Sequence, residues 1–218
     1  MAAFSNPSGL ALAPDGDTLY LADGTGNRIR KVITSTGEVT TYAGSGDTGL
    51  ADGARNVASF NNPTAIALSP DGALLYVADT GNGRVRVVGP SGVTTLAAGA
   101  GADALVSPAG IAVSLDGALL FVSDSERGLV RSVDIKTGAV ATLAGSVDRA
   151  GSLAPGFFNS PTGLAVSQAP PCPAPPNASN ASRPRRPPVP AGPGSGPCEL
   201  DNLTWEVSTQ SHWPAGRV

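Results

Sequence analysis

The chain has 218 residues with 14 Lys/Arg against 17 Asp/Glu, and its net charge of −3 supplies no global field for drawing in nucleic acid or anionic lipid. No run of about 18 apolar residues occurs, so no helical membrane span is expected. Glycine (28) and proline (20) are abundant and aromatic residues make up only 5%, a balance that favours short strands and tight turns over long helices.

From the N-terminus the chain enters a repeated text within three residues. The first copy runs from Phe4 to Gly44, the second from Phe60 to Gly99 and the third from Val106 to Gly145. A fourth opens at Phe158 as FNSPTGLAVS and stops. Pro7, Pro63, Pro108 and Pro161 anchor the copies at spacings of 56, 45 and 53 residues, the kind of period that marks a solenoid or propeller.

Within the second copy four strand-like runs can be marked. Ala65–Ser69 and Leu74–Ala78 flank Pro70-Asp71-Gly72, a hairpin signal. Asp79 to Gly83 makes a second turn leading into Arg84–Val88, and Pro90-Ser91-Gly92 a third leading into Val93–Ala97. Four antiparallel strands joined by short turns, repeated along the chain, predict the blades of a β-propeller. The first strand of each copy alternates Gly or Ala with one branched residue, as in Gly9-Leu10-Ala11-Leu12 and Gly110-Ile111-Ala112-Val113. Such small residues suit strands crowded near a central axis, so this strand is placed innermost.

These residues resemble the NHL repeat, a propeller-forming family. The match rests on Asn62-Pro63 before a small-apolar strand, then Asp71-Gly72, then Leu75-Tyr76-Val77-Ala78-Asp79. Asn27 to Val32, the strand Val39 to Gly44 and the linker Ala51-Asp52-Gly53 fit as well. The third copy departs at Glu126 to Leu129, where the Gly-Asn-Arg loop is lost. The expected fold is all-β: a partial β-propeller of about three four-stranded antiparallel blades plus a partial fourth, covering residues 1–167. The blades are set at 4–59, 60–105 and 106–156, with the start of a fourth at 157–167. Residues 168–198 are rich in Pro, Ala, Gly and Ser and are expected to be disordered; residues 199–218 hold one strand-like run, Leu203 to Val207. The abrupt start of the repeats reads as a fragment of a larger protein.

Asp23, Asp79 and Asp124 recur just after the second strand, and Arg30, Arg86 and Arg131 follow each by seven residues. Three acids in register invite a metal reading. Equivalent positions on neighbouring blades lie on separate loops, however, and a hard cation wants oxygens converging on one point. The structural reading is that each carboxylate caps its own turn as an Asx motif and that the arginines form Asp–Arg pairs or lie exposed. The repeats hold 10 basic against 14 acidic residues, which argues against a nucleic-acid face.

The resemblance also implies enzyme relatives, lyases similar to zinc enzymes with several histidine ligands. This chain has one histidine, His212, outside the repeats, so no cofactor, metal site or catalytic triad is expected. Cys172 and Cys198 bracket the proline-rich segment as a candidate disulfide, and Asn177, Asn180 and Asn202 begin glycosylation sequons. Together they favour a secretory compartment if the N-terminus is truncated. The leading expectation is a non-enzymatic module binding a protein partner, with self-association through exposed blade faces. A gluconolactonase-like or lyase-like propeller completed by residues outside the chain, and an architectural spacer in a secreted glycoprotein, are the alternatives.

Overall fold

A computed structural model describes residues 4–99, 101–145, 158–166 and 205–208. The chain divides into two units, residues 1–166 with 206–218 and residues 167–205, the second falling almost wholly outside the described part.

The three copies form three four-stranded antiparallel sheets, each in simple meander order. Blade 1 comprises β1 (Pro7–Leu12), β2 (Thr18–Asp23), β3 (Arg28–Ile33) and β4 (Glu38–Ala43). Blade 2 comprises β5 (Pro63–Leu68), β6 (Leu75–Asp79), β7 (Arg84–Gly89) and β8 (Gly92–Ala97). Blade 3 comprises β9 (Pro108–Val113), β10 (Leu119–Asp124), β11 (Leu129–Asp134) and β12 (Val140–Ala144). The runs marked in the second copy match β5 to β8 within two residues at each end. Of the fourth copy, β13 (Gly163–Val166) is described, and it pairs with β14 (Trp205–Ser208), inside the strand-like run near the C-terminus.

Turn chemistry sets the hairpins. Gly16, Gly72 and Gly117 each hold φ +72°, a left-handed conformation that glycine adopts without steric penalty, and each donates its N–H to the carbonyl three residues back. Asp71 accepts from the Ser69 hydroxyl at 2.5 Å and from the Ala73 N–H at 3.0 Å, and Asp116 repeats the pattern with Ser114 and Ala118. The turn locks the register of the strands on either side, so the apolar residues of each pair land on one face.

The expectation that the first strands are innermost is met: β1 neighbours β5, β5 neighbours β9 and β9 neighbours β13. Crowding there is severe. A Cβ on Gly9 would lie 2.6 Å from the Ala65 Cα, and one on Gly110 would lie 2.0 Å from the Thr162 carbonyl oxygen. The core is therefore not inside a blade but in the seams between blades. Ala22, Ile29 and Ala43 of blade 1 pack on Ile66, Leu75, Val77, Val88 and Val93 of blade 2, with Phe60 of the linker at 0% exposure. The next seam joins Tyr76, Ala78, Val85 and Ala97 to Ile111, Leu120, Val122 and Val133. Each fully buried aliphatic side chain contributes roughly 1.5–3 kcal/mol, so every blade depends on its neighbour for its stability.

Candidate functional site

Each recurring aspartate ends the second strand of its blade, where the chain turns away from the axis. The three carboxylates stay on separate blades. Asp23 Oδ1 accepts the N–H groups of Ser5 and Asn6, both at 2.8 Å. Asp79 Oδ1 accepts from the Asn61 N–H at 2.8 Å, while Asp124 accepts from Val106 at 3.1 Å and Ser107 at 3.0 Å. The expectation that each aspartate caps its own turn is corrected on this point. The backbone donors belong to the segment leading into the blade's first strand, 17 or 18 residues upstream. The physical reason is that this lead-in segment crosses beside the end of the second strand with its N–H groups unpaired, and the carboxylate satisfies two of them in blades 1 and 3 and one in blade 2.

The arginines extend this arrangement to the linkers between blades. Arg86 is fully buried and donates through Nη1 to Asp79 Oδ2 at 2.9 Å and to the Ser59 carbonyl at 3.0 Å. Through Nη2 it reaches Asp52 Oδ1 at 2.7 Å and the Ala51 carbonyl at 2.9 Å, with the Phe60 ring 5.3 Å from its guanidinium carbon. Asp52 also accepts from the N–H and hydroxyl of Thr95 on β8, and Gly53 exchanges a pair of backbone hydrogen bonds with Val93. One extended linker is thus clamped across blade 2. Arg131 repeats the clamp on blade 3, donating to Asp103, to the Ala104 carbonyl and to the Thr142 hydroxyl.

Burial sets the electrostatics. It pushes the Asp79 carboxyl above the ordinary carboxylate value, against the opposing hydrogen bonds from Asn61, Asn82 and Arg86. Burial likewise lowers the pKa of Arg131, with Asp124 and Asp103 opposing it, and the group remains charged at any physiological pH. Of the six recurring positions, Asp79 and Arg86 pair with each other, in blade 2. Among the described residues no ion pair between the recurring pair is recorded in blades 1 and 3. Among them, too, no group of three or more His, Cys, Asp or Glu converges as a metal site.

A second feature lies at the outer rim of the first seam. A cavity of 530 Å³ is lined by Arg28, Tyr42, Ser45, Arg55 and Asn56. The Arg55 guanidinium lies 4.4 Å from the centre of the Tyr42 ring and donates twice to the Gly89 carbonyl, at 3.0 and 2.8 Å. Arg28 donates to the carbonyls of Ser45 and Gly26. Neither arginine has a carboxylate partner among the described residues. Tyr20 packs against Tyr42 with ring centres 4.7 Å apart and the rings tilted by 60°, and burial pushes its phenol up to about 12. The cleft therefore offers two positive charges, one of them held over the Tyr42 ring, a combination suited to an anionic or carboxylate-bearing ligand.

Sequence reasoning had singled out neither Arg55 nor the linker acids Asp52 and Asp103 as interaction residues. They do not fall at a constant distance from the repeat anchors, so the periodicity that exposed Asp79 and Arg86 could not find them. Beyond the resemblance of the Ala51-Asp52-Gly53 linker, the available signal is their position between copies. Cys172, Cys198, Asn177, Asn180, Asn202 and His212 lie outside the described residues, as do the loop 146–156 and the proline-rich segment 168–198. No helix of the described residues is long and apolar enough to cross a membrane.

Comparison with known proteins agrees with this geometry. NHL repeat-containing protein 2 of Homo sapiens is 34% identical over 88 residues, which is 40% of this chain and 12% of that protein. The chain therefore spans a small part of the length of this relative. Among solved structures, a streptogramin B lyase matches with a TM-score of 0.54 at 13% identity, over 75% of this chain and 46% of that one. A nidogen/laminin complex matches with a TM-score of 0.51 at 20% identity, over 72% of this chain and 51% of that one. At such identities the likeness is one of fold. The family model described as lactonase, 7-bladed beta-propeller matches residues 1–90 and 33–156. Repeats, meander blades and packed seams all lead to the same assignment: the chain belongs to this family of β-propellers.

Proposed function

We propose that the chain is a non-enzymatic interaction module that binds a protein partner at the cleft on the first seam. The observation carrying this reading is the pair Arg28 and Arg55, two guanidiniums without a carboxylate partner among the described residues, lining one cavity beside Tyr42. Arginine and tyrosine are the side chains that dominate binding energy at protein interfaces, since both bury large areas while keeping directed polar contacts. A rigid blade pair holding exposed loops supplies the preorganisation such a site needs. The solved nidogen/laminin complex is a propeller-containing assembly with a protein partner, which supports the reading by analogy of fold.

The test is a photo-reactive phenylalanine analogue at Asn56, with the same probe at Asp116 as a control on a distant turn. A discrete cross-linked partner at Asn56, lost in Arg28→Ala/Arg55→Ala, is the expected result. Equal labelling from both probes, or labelling indifferent to the arginines, would reject the cleft as the binding site.

A second reading, a lactone-processing or ligand-binding propeller, is favoured by the family's description. It requires groups beyond the described residues, because those described bring no metal-binding cluster together. Hydrolysis of aliphatic lactones by the whole chain with added Ca²⁺ or Zn²⁺, above a buffer control, would support it.

A further inference from the structure

The cleft at the first seam owes its existence to the longer of the two linkers between described blades. Residues 44–62 separate β4 from β5, whereas residues 98–107 separate β8 from β9. Register makes Tyr42 of β4 equivalent to Leu96 of β8, each following the threonine that pairs with a recurring arginine. At the second seam the next blade lies directly on this position, and a Cβ on Gly138, in the turn between β11 and β12, would run into the Leu96 carbonyl oxygen. At the first seam Arg55 of the long linker bridges the same interval. Its guanidinium lies over the Tyr42 ring and donates to the carbonyl of Gly89, at the end of β7. Every residue lining the cavity belongs to blade 1 or to this linker.

The lining is rich in donors and contains neither Asp nor Glu. Arg55 engages Nε and Nη2 on one carbonyl and leaves Nη1 without a hydrogen bond among the described residues. Arg28 engages Nη1 and Nη2 on the Gly26 and Ser45 carbonyls and leaves Nε in the same condition. The Ser45 hydroxyl accepts from the Asp47 N–H at 3.2 Å, which leaves its own proton to donate. Both guanidiniums are thus fixed before any ligand arrives, so little side-chain freedom is lost on binding. Val57, one residue beyond Asn56 of the lining, is 61% exposed, more than any other large hydrophobic side chain among the described residues.

We propose that the cleft takes a carboxylate of a peptide chain, bound by Arg55 and Arg28, with an aliphatic side chain next to it in that peptide resting on Val57. The assignment rests on the cleft being the interaction site, and it names what the partner must present there: an acidic residue or a chain end beside an aliphatic one. Charge-assisted hydrogen bonds from arginine supply the anchor. With part of each guanidinium already engaged by carbonyls, the remaining donors match the two oxygens of a carboxylate better than the three of a phosphate. The aliphatic neighbour adds burial of the exposed Val57 surface, and it sets which acidic residues are accepted.

The probe is the dye-labelled peptide amide GSGELGSG, titrated by fluorescence anisotropy against the whole chain. Saturable binding is expected, weakened at least ten-fold by glutamine at the peptide's glutamate and by Arg28→Ala or Arg55→Ala in the protein. Glycine at the peptide's leucine and Val57→Ser, a change at an exposed position, should each weaken it about three-fold and together no further. Lys136→Ala, on an exposed turn of blade 3, should leave it unchanged. A second peptide, GSGQL, binding as the free acid and not as the amide would assign the carboxylate to a chain end; binding of the glutamate amide assigns it to a side chain. No saturable binding of either carboxylate peptide, a glutamine amide that binds equally, or a phosphoserine peptide that binds ten-fold tighter than glutamate would overturn the proposal. A partner cross-linked at Asn56 alongside any of those results would overturn the carboxylate anchor while leaving the interaction module standing.

Discussion

Replacing Arg86 by methionine should be the most damaging single change in the described structure that leaves its core apolar volume nearly intact. Arg86 and Asp79 are both at 0% side-chain exposure and 2.9 Å apart. Methionine leaves the Asp79 carboxylate in the seam with only the Asn61 N–H and the Asn82 amide as donors, and it releases the linker at Ala51 and Asp52. Breaking a buried pair by removing one partner costs about 3–5 kcal/mol, because an uncompensated charge stays behind. With a urea slope of about 2 kcal/mol/M, the midpoint should fall by roughly 1.5–2.5 M. Arg30→Met is the comparison: that arginine is only half-buried and has no ion pair among the described residues, so its loss should cost about 0–1 kcal/mol. Asp79→Asn added to Arg86→Met should recover part of the loss. Acidification supplies a further check. The Asp79 carboxyl is already raised by burial, and without Arg86 it should rise further, so the folded form binds the proton more readily than the unfolded chain. The deficit of Arg86→Met should therefore shrink as the pH falls towards the folded-state pKa. A deficit below about 1 kcal/mol, or one equal to that of Arg30→Met, would refute the clamp as a major source of stability.

Gly110→Ala should cost about 1–3 kcal/mol by thermal or urea unfolding, because its Cβ would meet the Thr162 carbonyl at 2.0 Å; Gly16→Ala, in open space at φ +72°, should cost only about 1–2 kcal/mol of backbone strain. Hydrogen bonds from turn N–H and hydroxyl groups hold Asp15, Asp17, Asp71, Asp116 and Asp134 below the ordinary carboxylate value of 3.8. The unfolded chain then binds more protons in that window, so the melting temperature should drop as the pH falls below about 4, and asparagine at Asp71 and Asp116 together should flatten the drop. Tyr20, raised by burial from 10.0 to about 12, should give a late step in an alkaline absorbance titration, and Tyr20→Phe should remove that step. The stability Tyr20 contributes is lost as the pH rises from 10.0 to about 12.

The blades were legible in the sequence because their determinants are local. Pro70-Asp71-Gly72 encodes a turn through hydrogen bonds within five residues, and the alternation on either side fixes which face is apolar. The crowding of the first strands was legible too, since Gly9 and Gly110 have no steric alternative. What escaped was the partner of each polar group across long separations. The spacing suggests that Asp79 caps its own turn, yet its backbone donor is Asn61, and Arg86 binds Asp52, 34 residues away. Nothing in the spacing marks Asp52, because the linker between blades varies in length while the strands do not. Arg55 was invisible for the same reason: its position over Tyr42 arises only when the linker folds back along the seam.

The measurement that bears most directly on the proposed function is the affinity for the cross-linked partner, once purified, of the native chain and of Arg28→Ala/Arg55→Ala. Both arginines line the rim of the seam, outside the apolar cluster at its centre, so the double variant should unfold within about 1 kcal/mol of the native chain. The account predicts at least a ten-fold loss of affinity, steeper at low salt than at high salt. An unchanged affinity in a folded double variant would contradict it.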